Sequence, residues 1–339
     1  MGIEPRVAAV AASGVLGLIG QCGGDPNRIL GAARLDPSDV LNPATSLDLA
    51  RYCDLFEQAA RQTGLGSFGL RFGTGYLLEN MGPLGALILN SATLGEALRH
   101  LCAYFPAVQE HSTLALAGEG DLVALKYRIT DGRIAQRRQD AELTIGIFSN
   151  IFQRCLGPFW TPEEIHFEHL RGADLAEIRA LLRAPVYFAA PGNAILFRRA
   201  DLAAPMPGAD ASRIPALRAA LHASVEAARP EDFIGQVLSE IRLGLADGDA
   251  SIERIASRLG LSRAGLYRRL AREQQNFSTL TERTRRALAE FYVSQPGIPF
   301  TELAPLLGYS ELSAFSRAFT RWTGISPARY RLERTAHCA

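Results

Sequence analysis

The chain has 339 residues, 47% of them hydrophobic and 21% charged, with a formal net charge of +1. This length and balance predict two domains that each bury a core, and exclude a largely disordered chain. No apolar run reaches the roughly 18 residues needed to span a membrane, and five cysteines exclude a disulfide-rich miniature scaffold.

The charge is unevenly spread. Residues 251–339 hold 14 Arg and 7 Glu with neither Lys nor Asp, a formal +7, which leaves −6 for everything before them. One region of the chain is thereby suited to a polyanion and the other is not. Lys126 is the sole lysine, so the basic region is entirely arginine, the side chain best shaped for phosphate and guanine.

The N-terminal stretch Arg6–Gln21 reads as a helix, with Gly14, Gly17 and Gly20 at every third position. Its apolar stretch, Val7–Ile19, followed by Cys22, leaves a signal peptide as an alternative. Glu4 offsets Arg6, however, and Gln21 is a poor neighbour for a cleavage site, so a buried helix is expected. Cys22, Cys53, Cys102, Cys155 and Cys338 show no C-x-x-C spacing and are expected to be reduced, apolar fillers rather than zinc ligands.

Helices are expected over Asp25–Ala33 and Leu47–Thr63, the latter with Leu47, Leu49, Ala50, Leu55, Phe56 and Ala59 near one stripe. Leu70 and Phe72 suggest a short strand; Pro83–Leu89 and Leu94–Phe105 suggest helices. A hairpin follows: Thr113–Ala117, a turn at Gly118–Asp121, then Leu122–Ile129 with Val123, Leu125, Tyr127 and Ile129 alternating. Gln139–Leu156 reads as a long helix. Ile165–His169, Val186–Phe188 and Ala194–Phe197 read as strands around a helix at Asp174–Arg183. Ala203–Pro215, with three prolines, reads as a loop. Beyond it the pattern is helical throughout, so an α+β domain over 1–210, a linker over 211–230 and an all-α domain over 231–335 are expected.

Two segments of the helical region repeat one pattern. Ala256, Gly260 and Ser262 recur at the same spacing as Ala304, Gly308 and Ser310. The small residue lets two helices cross closely, the glycine ends the first helix in a left-handed turn, and the serine can cap the second. This is the spacing of a helix-turn-helix, repeated. Leu266 and Leu270, like Phe315 and Phe319, then face the core. Arg263, Ala264, Tyr267 and Arg268, and Leu312, Ser313, Ser316 and Arg317, are left to point outward, where such a helix meets the major groove.

The second unit continues with Gly308-Tyr309-Ser310, Phe315-Ser316-Arg317-Ala318-Phe319, Trp322-Thr323-Gly324, Ser326-Pro327 and Tyr330-Arg331. These residues resemble the signature of the AraC/XylS transcription regulators, over about 232–331. Less sharply, Asn90–Leu98 is similar to the ligand-sensing domain of a subgroup with ornithine-responsive and virulence regulators. The resemblance implies two helix-turn-helix modules joined by a long helix, here about Ser278–Ser294, reading successive major grooves of promoter DNA. By position, the implied base readers are Ala264, Tyr267, Arg268, Leu312, Ser313, Ser316 and Arg317. Arg268 and Arg317 are suited either to a bidentate guanine contact, worth about 1–3 kcal/mol of discrimination, or to phosphate. Ala264 and Leu312 offer only apolar contact. Trp322 and Tyr330 are expected in the core, and Arg283, Arg285 and Arg286 on a solvated face. Pro305 departs from the pattern: inside the first helix of the second module it forfeits a hydrogen bond to residue 301, and a kinked or shortened helix is expected.

A long α+β domain ahead of a DNA reader implies control by a small-molecule effector, with homodimer formation as a second role. RNA polymerase is the implied protein partner, and a cytoplasmic activator without cofactor or metal the implied whole. Candidate effector residues are polar or aromatic groups among apolar ones: Arg71, Tyr76, Glu79, Asn80, His100, Tyr104, Gln109 and His111. Cationic effectors of similar regulators single out Glu79 by analogy. Gly64–Gly69 matches G-x-G-x-x-G, but a helix precedes it, so a loop is expected rather than a dinucleotide site. His166-Phe167-Glu168-His169 is expected to be structural, because a strand sends His169 away from His166 and Glu168. An enzyme and a ligand-independent architectural DNA binder are the competing readings; no G-x-S-x-G, P-loop or H-E-x-x-H supports the first.

Overall fold

A computed structural model of the chain describes residues 4–118, 120–172, 174–227, 233–246, 249–294 and 299–336. Cys338, Glu119 of the hairpin turn and the end of the 211–230 linker lie outside them. The chain divides into two units, Met1–Ile129 with Arg137–His169 and Asp174–Pro230, and Thr130–Gln136 with Leu170–Ala173 and Glu231–Ala339.

In the first unit the single helix expected over 6–21 is broken. Arg6–Ala8 is a strand, β1, and the helix α1 covers only Val15–Gln21. Gly14, at φ 91°, sits in left-handed geometry and prevents one helix from running through. Two Asp-Pro pairs start the next helices. Asp25 caps α2 (Pro26–Ala33) and Asp36 caps α3 (Pro37–Leu41), each accepting backbone N–H groups while proline occupies the first turn. Ser46–Asp48, β2, pairs antiparallel with β1, placing Leu47 opposite Val7. Asp48 then caps α4 (Leu49–Thr63), which ends at Gly64 in left-handed geometry.

Leu70 and Phe72, expected in a strand, lie instead in a helix, α5 (Phe68–Thr74). Alternation over so few residues does not separate strand from helix; here close packing on a later helix decides. After α6 (Gly82–Leu89) comes α7 (Leu94–Tyr104), capped by Thr93, with Glu96 accepting the Ala92 N–H at 2.7 Å.

The expected hairpin is present as β3 (Ser112–Ala117) and β4 (Leu122–Ile129), with Leu114 opposite Tyr127. α8 (Arg138–Leu156) follows, then β5 (Glu164–His166), α9 (Leu175–Leu182), β6 (Val186–Tyr187) and β7 (Asn193–Arg198). The sheet order is β3-β4-β7-β5-β6, antiparallel except for β5 with β6. α8 is buried along most of its length. Against it lies α5, whose Gly69 and Gly73 give a face thin enough for backbone to approach backbone. α10 (Ile214–Ala227) completes this unit and packs on α6 and α7.

The second unit is helical: α11 (Phe233–Ala246), α12 (Ile252–Arg258), α13 (Arg263–Arg272), α14 (Phe277–Ser294), α15 (Phe300–Leu306), α16 (Leu312–Thr323) and α17 (Pro327–Ala336). Its core joins Val237, Ile241, Leu266, Leu270, Leu280 and Val293 to Leu303, Phe315 and Phe319. Leu170 is buried in the same core. Buried Arg242 of α11 donates to the carbonyls of Ile134 and Ala135 at 3.2 and 3.3 Å, so these two short segments belong physically with the helices.

Candidate nucleic-acid interface and effector residues

The repeated sequence pattern is a repeated geometry. α12 and α15 end in the same six-residue motif: Leu261 N–H donates to Ala256 O at 2.8 Å, and Tyr309 N–H donates to Ala304 O at 2.9 Å. Gly260 and Gly308 supply the left-handed residue, at φ 66° and 75°, and their N–H groups donate to Ser257 O and Pro305 O. Ala256 and Ala304 are buried at the crossings, as their size requires. Pro305 neither shortens nor ends its helix. α15 has seven residues, as α12 does, and the proline ring is exposed.

The caps of the two recognition helices differ. Ser262 Oγ accepts the Gly265 N–H at 3.0 Å and caps α13 as expected. The cap position of α16 is Glu311, one residue beyond Ser310, and its side chain makes no cap bond. Glu311 instead accepts from Ser313 Oγ at 3.0 Å.

Leu266, Leu270, Phe315 and Phe319 point into the core. On the opposite face Ala264, Tyr267, Arg268, Leu312, Ser313 and Arg317 are exposed, and Ser316 is half-buried. Both recognition helices therefore leave their outward faces free to meet a groove, and the seven implied base readers lie on them. Arg263, also exposed, begins α13. Trp322 and Tyr330 pack on the helical core: Trp322 Nε1 donates to Glu282 at 3.0 Å, and the Tyr330 ring meets Phe319 edge-on. Of the connecting-helix arginines, Arg283 is exposed and Arg286 pairs with Glu290 at 2.7 Å. Arg285 is half-buried and donates to Leu307 O at 3.1 Å. A cleft of about 430 Å³ opens beside them, between Phe277, Glu282, Arg285, Tyr309 and Trp322.

The eight effector candidates lie in several surroundings. Arg71 pairs with Glu177. Tyr76 is buried and donates to Val10 O at 2.9 Å. Glu79 and Asn80 are exposed on a 3-10 turn over Leu78–Met81. His100 and Tyr104 come together. Ser91 Oγ lies 2.9 Å from His100 Nδ1, and the Tyr104 hydroxyl meets His222 Nε2 at 3.0 Å and accepts from Arg218 at 3.2 Å. Burial holds the His100 imidazolium below its ordinary range. Gln109 donates to Ser112 Oγ and to the Tyr127 hydroxyl, which donates to Asp140 at 2.6 Å. His111 is buried nearby in the chain with φ 50°.

Sequence reading missed the buried charges around the start of α8. Arg137 grips Glu168 with two nitrogens at 2.7 and 3.1 Å and donates to Ile129 O. Arg138 pairs with Glu142 and Asp174. Desolvation pushes the Asp140 carboxyl up to about 7 and the Glu142 carboxyl up to about 8, against the pull of Tyr127 and the two arginines. Of the His166–His169 stretch, Glu168 and His169 join this network, His169 lying 3.4 Å from Glu142, whereas His166 meets Glu164 at 2.8 Å. Among the described residues no group of three or more His, Cys, Asp or Glu is placed to hold a metal, and no helix is long and apolar enough to cross a membrane.

Residues 23–206 match the arabinose-binding N-terminal domain of AraC transcription regulators, and residues 255–333 match a helix-turn-helix domain. The chain is similar to the HTH-type transcriptional regulator VirS of Mycobacterium tuberculosis, 30% identical over 94% of each chain. It is 24% identical to the ornithine utilization regulator of Pseudomonas aeruginosa, over 96% of each. Among solved structures, the transcriptional regulator CdpR of Pseudomonas aeruginosa aligns with 23% identity and a TM-score of 0.44, covering 90% of this chain and 96% of that one.

Proposed function

The chain belongs to the AraC family of transcription regulators, and on that premise we propose that it reads promoter DNA sequence-specifically, activates transcription and answers to a small-molecule effector. The observation that carries the reading is the pair of recognition helices with free outward faces, in a segment of charge +7. Phosphate attraction by this surplus supplies affinity, and side chains at base edges supply sequence preference. Arg268 in one module and Arg317 in the other contact guanine bidentately or bind phosphate; Ala264, Tyr267, Leu312, Ser313 and Ser316 complete the two faces.

Residues 1–210 are the effector domain and 231–335 the DNA-binding domain; within the 211–230 linker, α10 (Ile214–Ala227) is a helix packed on the first unit. The arabinose-binding-type match supports small-molecule control, with Arg71, Tyr76, Glu79, Asn80, His100, Tyr104, Gln109 and His111 as effector-facing residues. An effector shifts regulation only by its differential affinity for the two DNA-binding states, typically about 1–3 kcal/mol. RNA polymerase and a second copy of the chain are its protein partners, in the cytoplasm.

The test is selection of bound sequences from a random duplex pool at near-physiological salt, with wild type, Arg268→Ala and Arg317→Ala. Two short blocks about one helical turn apart are expected, one blurred by each substitution. Enrichment of no sequence, with binding that only falls with salt, overturns sequence-specific reading.

A further inference from the structure

The two recognition helices have opposite charges at the position after the repeated serine: Arg263, the first residue of α13, and Glu311, the cap position of α16. Arg263 is not left loose. Its NH1 lies 2.8 Å from Glu253 Oε1 on α12, and its guanidinium carbon lies 5.7 Å from the centre of the Tyr267 ring, one turn along its own helix. The guanidinium is thus held between a carboxylate on one helix and an aromatic face on the next.

Helix stability does not account for this arrangement. A cation at a helix N-terminus opposes the helix dipole. Ser262 already serves the Gly265 N–H of the first turn, and a guanidinium has no acceptor for the others. The Arg263 and Glu253 side chains are 61% and 58% exposed, and exposed ion pairs contribute little. What the pairing does fix is direction. Ala264 and Gly265, the next two residues, are short and Leu266 is buried, so Arg263 is the long outward side chain of the first turn of α13, with Tyr267 one turn on. That turn is the one a recognition helix presents to base edges.

We propose that Glu253 is a positioning residue that makes Arg263 a guanine reader in the first module; this rests on the DNA-reading function above. A carboxylate beside the duplex repels phosphate, so it weakens binding to arbitrary DNA. It also denies Arg263 the nearest backbone oxygen and leaves its remaining N–H groups for guanine O6 and N7. Tyr267 holds the plane of the fork. The second module has Thr301 and Glu311 at the equivalent places and cannot use this device.

The test uses the full chain and its selected site, with every base pair of both blocks varied in turn. Wild type, Glu253→Gln, Arg263→Ala, Arg263→Lys and the Glu253→Gln/Arg263→Ala double variant are compared. Glu253→Gln is expected to bind mixed-sequence DNA at least as well as wild type. It should lose about fivefold or more of the preference at one base pair of the first block, with the second block unchanged. Arg263→Ala should flatten the same base pair, Arg263→Lys should not restore it, and the double variant should add nothing further.

Two results overturn the proposal. One is a Glu253→Gln protein whose affinity changes evenly across all site variants. The other is an Arg263→Ala protein that weakens every sequence alike and lowers the salt slope by about one, the mark of a phosphate contact. Wild type without preference in either block overturns the DNA reading itself, whereas an intact wild-type preference indifferent to Glu253 overturns this inference alone.

Discussion

Gly69 of α5 and Gln139 of α8 are locked backbone to side chain and backbone to backbone. Gln139 Oε1 accepts the Gly69 N–H at 2.7 Å, and a Cβ added to Gly69 would lie 2.1 Å from the Gln139 carbonyl oxygen. Gln139 Nε2 reaches back to Gly66 O at 2.6 Å, and its N–H donates to Glu57. One turn along, a Cβ on Gly73 would stand 2.1 Å from Leu143 O.

Because the clashing atoms are helix backbone, no rotamer change relieves them. Gly69→Ala and Gly73→Ala should each cost at least about 2 kcal/mol, by forcing two buried helices apart. Gly31→Ala is the control: it sits in α2 with nothing within 4 Å, and should stabilise by about 0.5–1 kcal/mol. Urea unfolding of the three variants gives the comparison, and a Gly69→Ala protein as stable as wild type would contradict the crossing.

Burial raises the Asp140 and Glu142 carboxyls to about 7 and about 8, above the unfolded values near 4. Between those limits the folded state holds more protons than the unfolded chain. Its stability therefore falls as pH rises from about 4 to about 8, and levels off above. Asp140→Asn keeps an acceptor for Tyr127 and removes one of the two titrations. Denaturant midpoints at pH 5.5, 7 and 8.5 should show a shallower decline in this variant than in wild type; parallel declines would refute the assignment.

The caps predict an asymmetry between modules. Ser262→Ala removes the bond to Gly265 N–H and should cost about 1 kcal/mol. Ser310→Ala should cost much less, because Glu311 holds the cap position of α16. Thermal unfolding distinguishes the two, and equal losses would show that Ser310 caps after all.

Pro305 is exposed within a helix of unshortened length, and lacks only the hydrogen bond to Thr301. Pro305→Ala should restore that bond and raise the stability of the helical unit by about 1 kcal/mol or more, with base preference in the second block unchanged. A drop in melting temperature would mean that the proline ring packs usefully where it stands.

The DNA-binding domain was legible from residue order because its geometry is local. Ala256, Gly260 and Ser262 act within seven residues of one another, and the same triplet at Ala304, Gly308 and Ser310 places the second turn. The hairpin over 112–129 was legible for the same reason: alternation and a glycine turn are short-range signals. Short range also has its limits, since Ser310 is the expected cap of α16 and the backbone puts the cap position at Glu311 instead.

The first domain gave up less. Leu70 and Phe72 alternate as a strand would, yet they sit on a helix because Gly69 and Gly73 meet a helix seventy residues away. The polar residues singled out around it, from Arg71 to His111, are ordinary in sequence. Only folding gives Gln109 the company of Tyr127 and Asp140, and His100 that of Ser91. Turns and caps are decided by dihedral angles and bonds between near neighbours, so they can be read along the chain. Close helix crossings and buried charges are decided by which distant backbone arrives, and that is a property of the packed molecule alone.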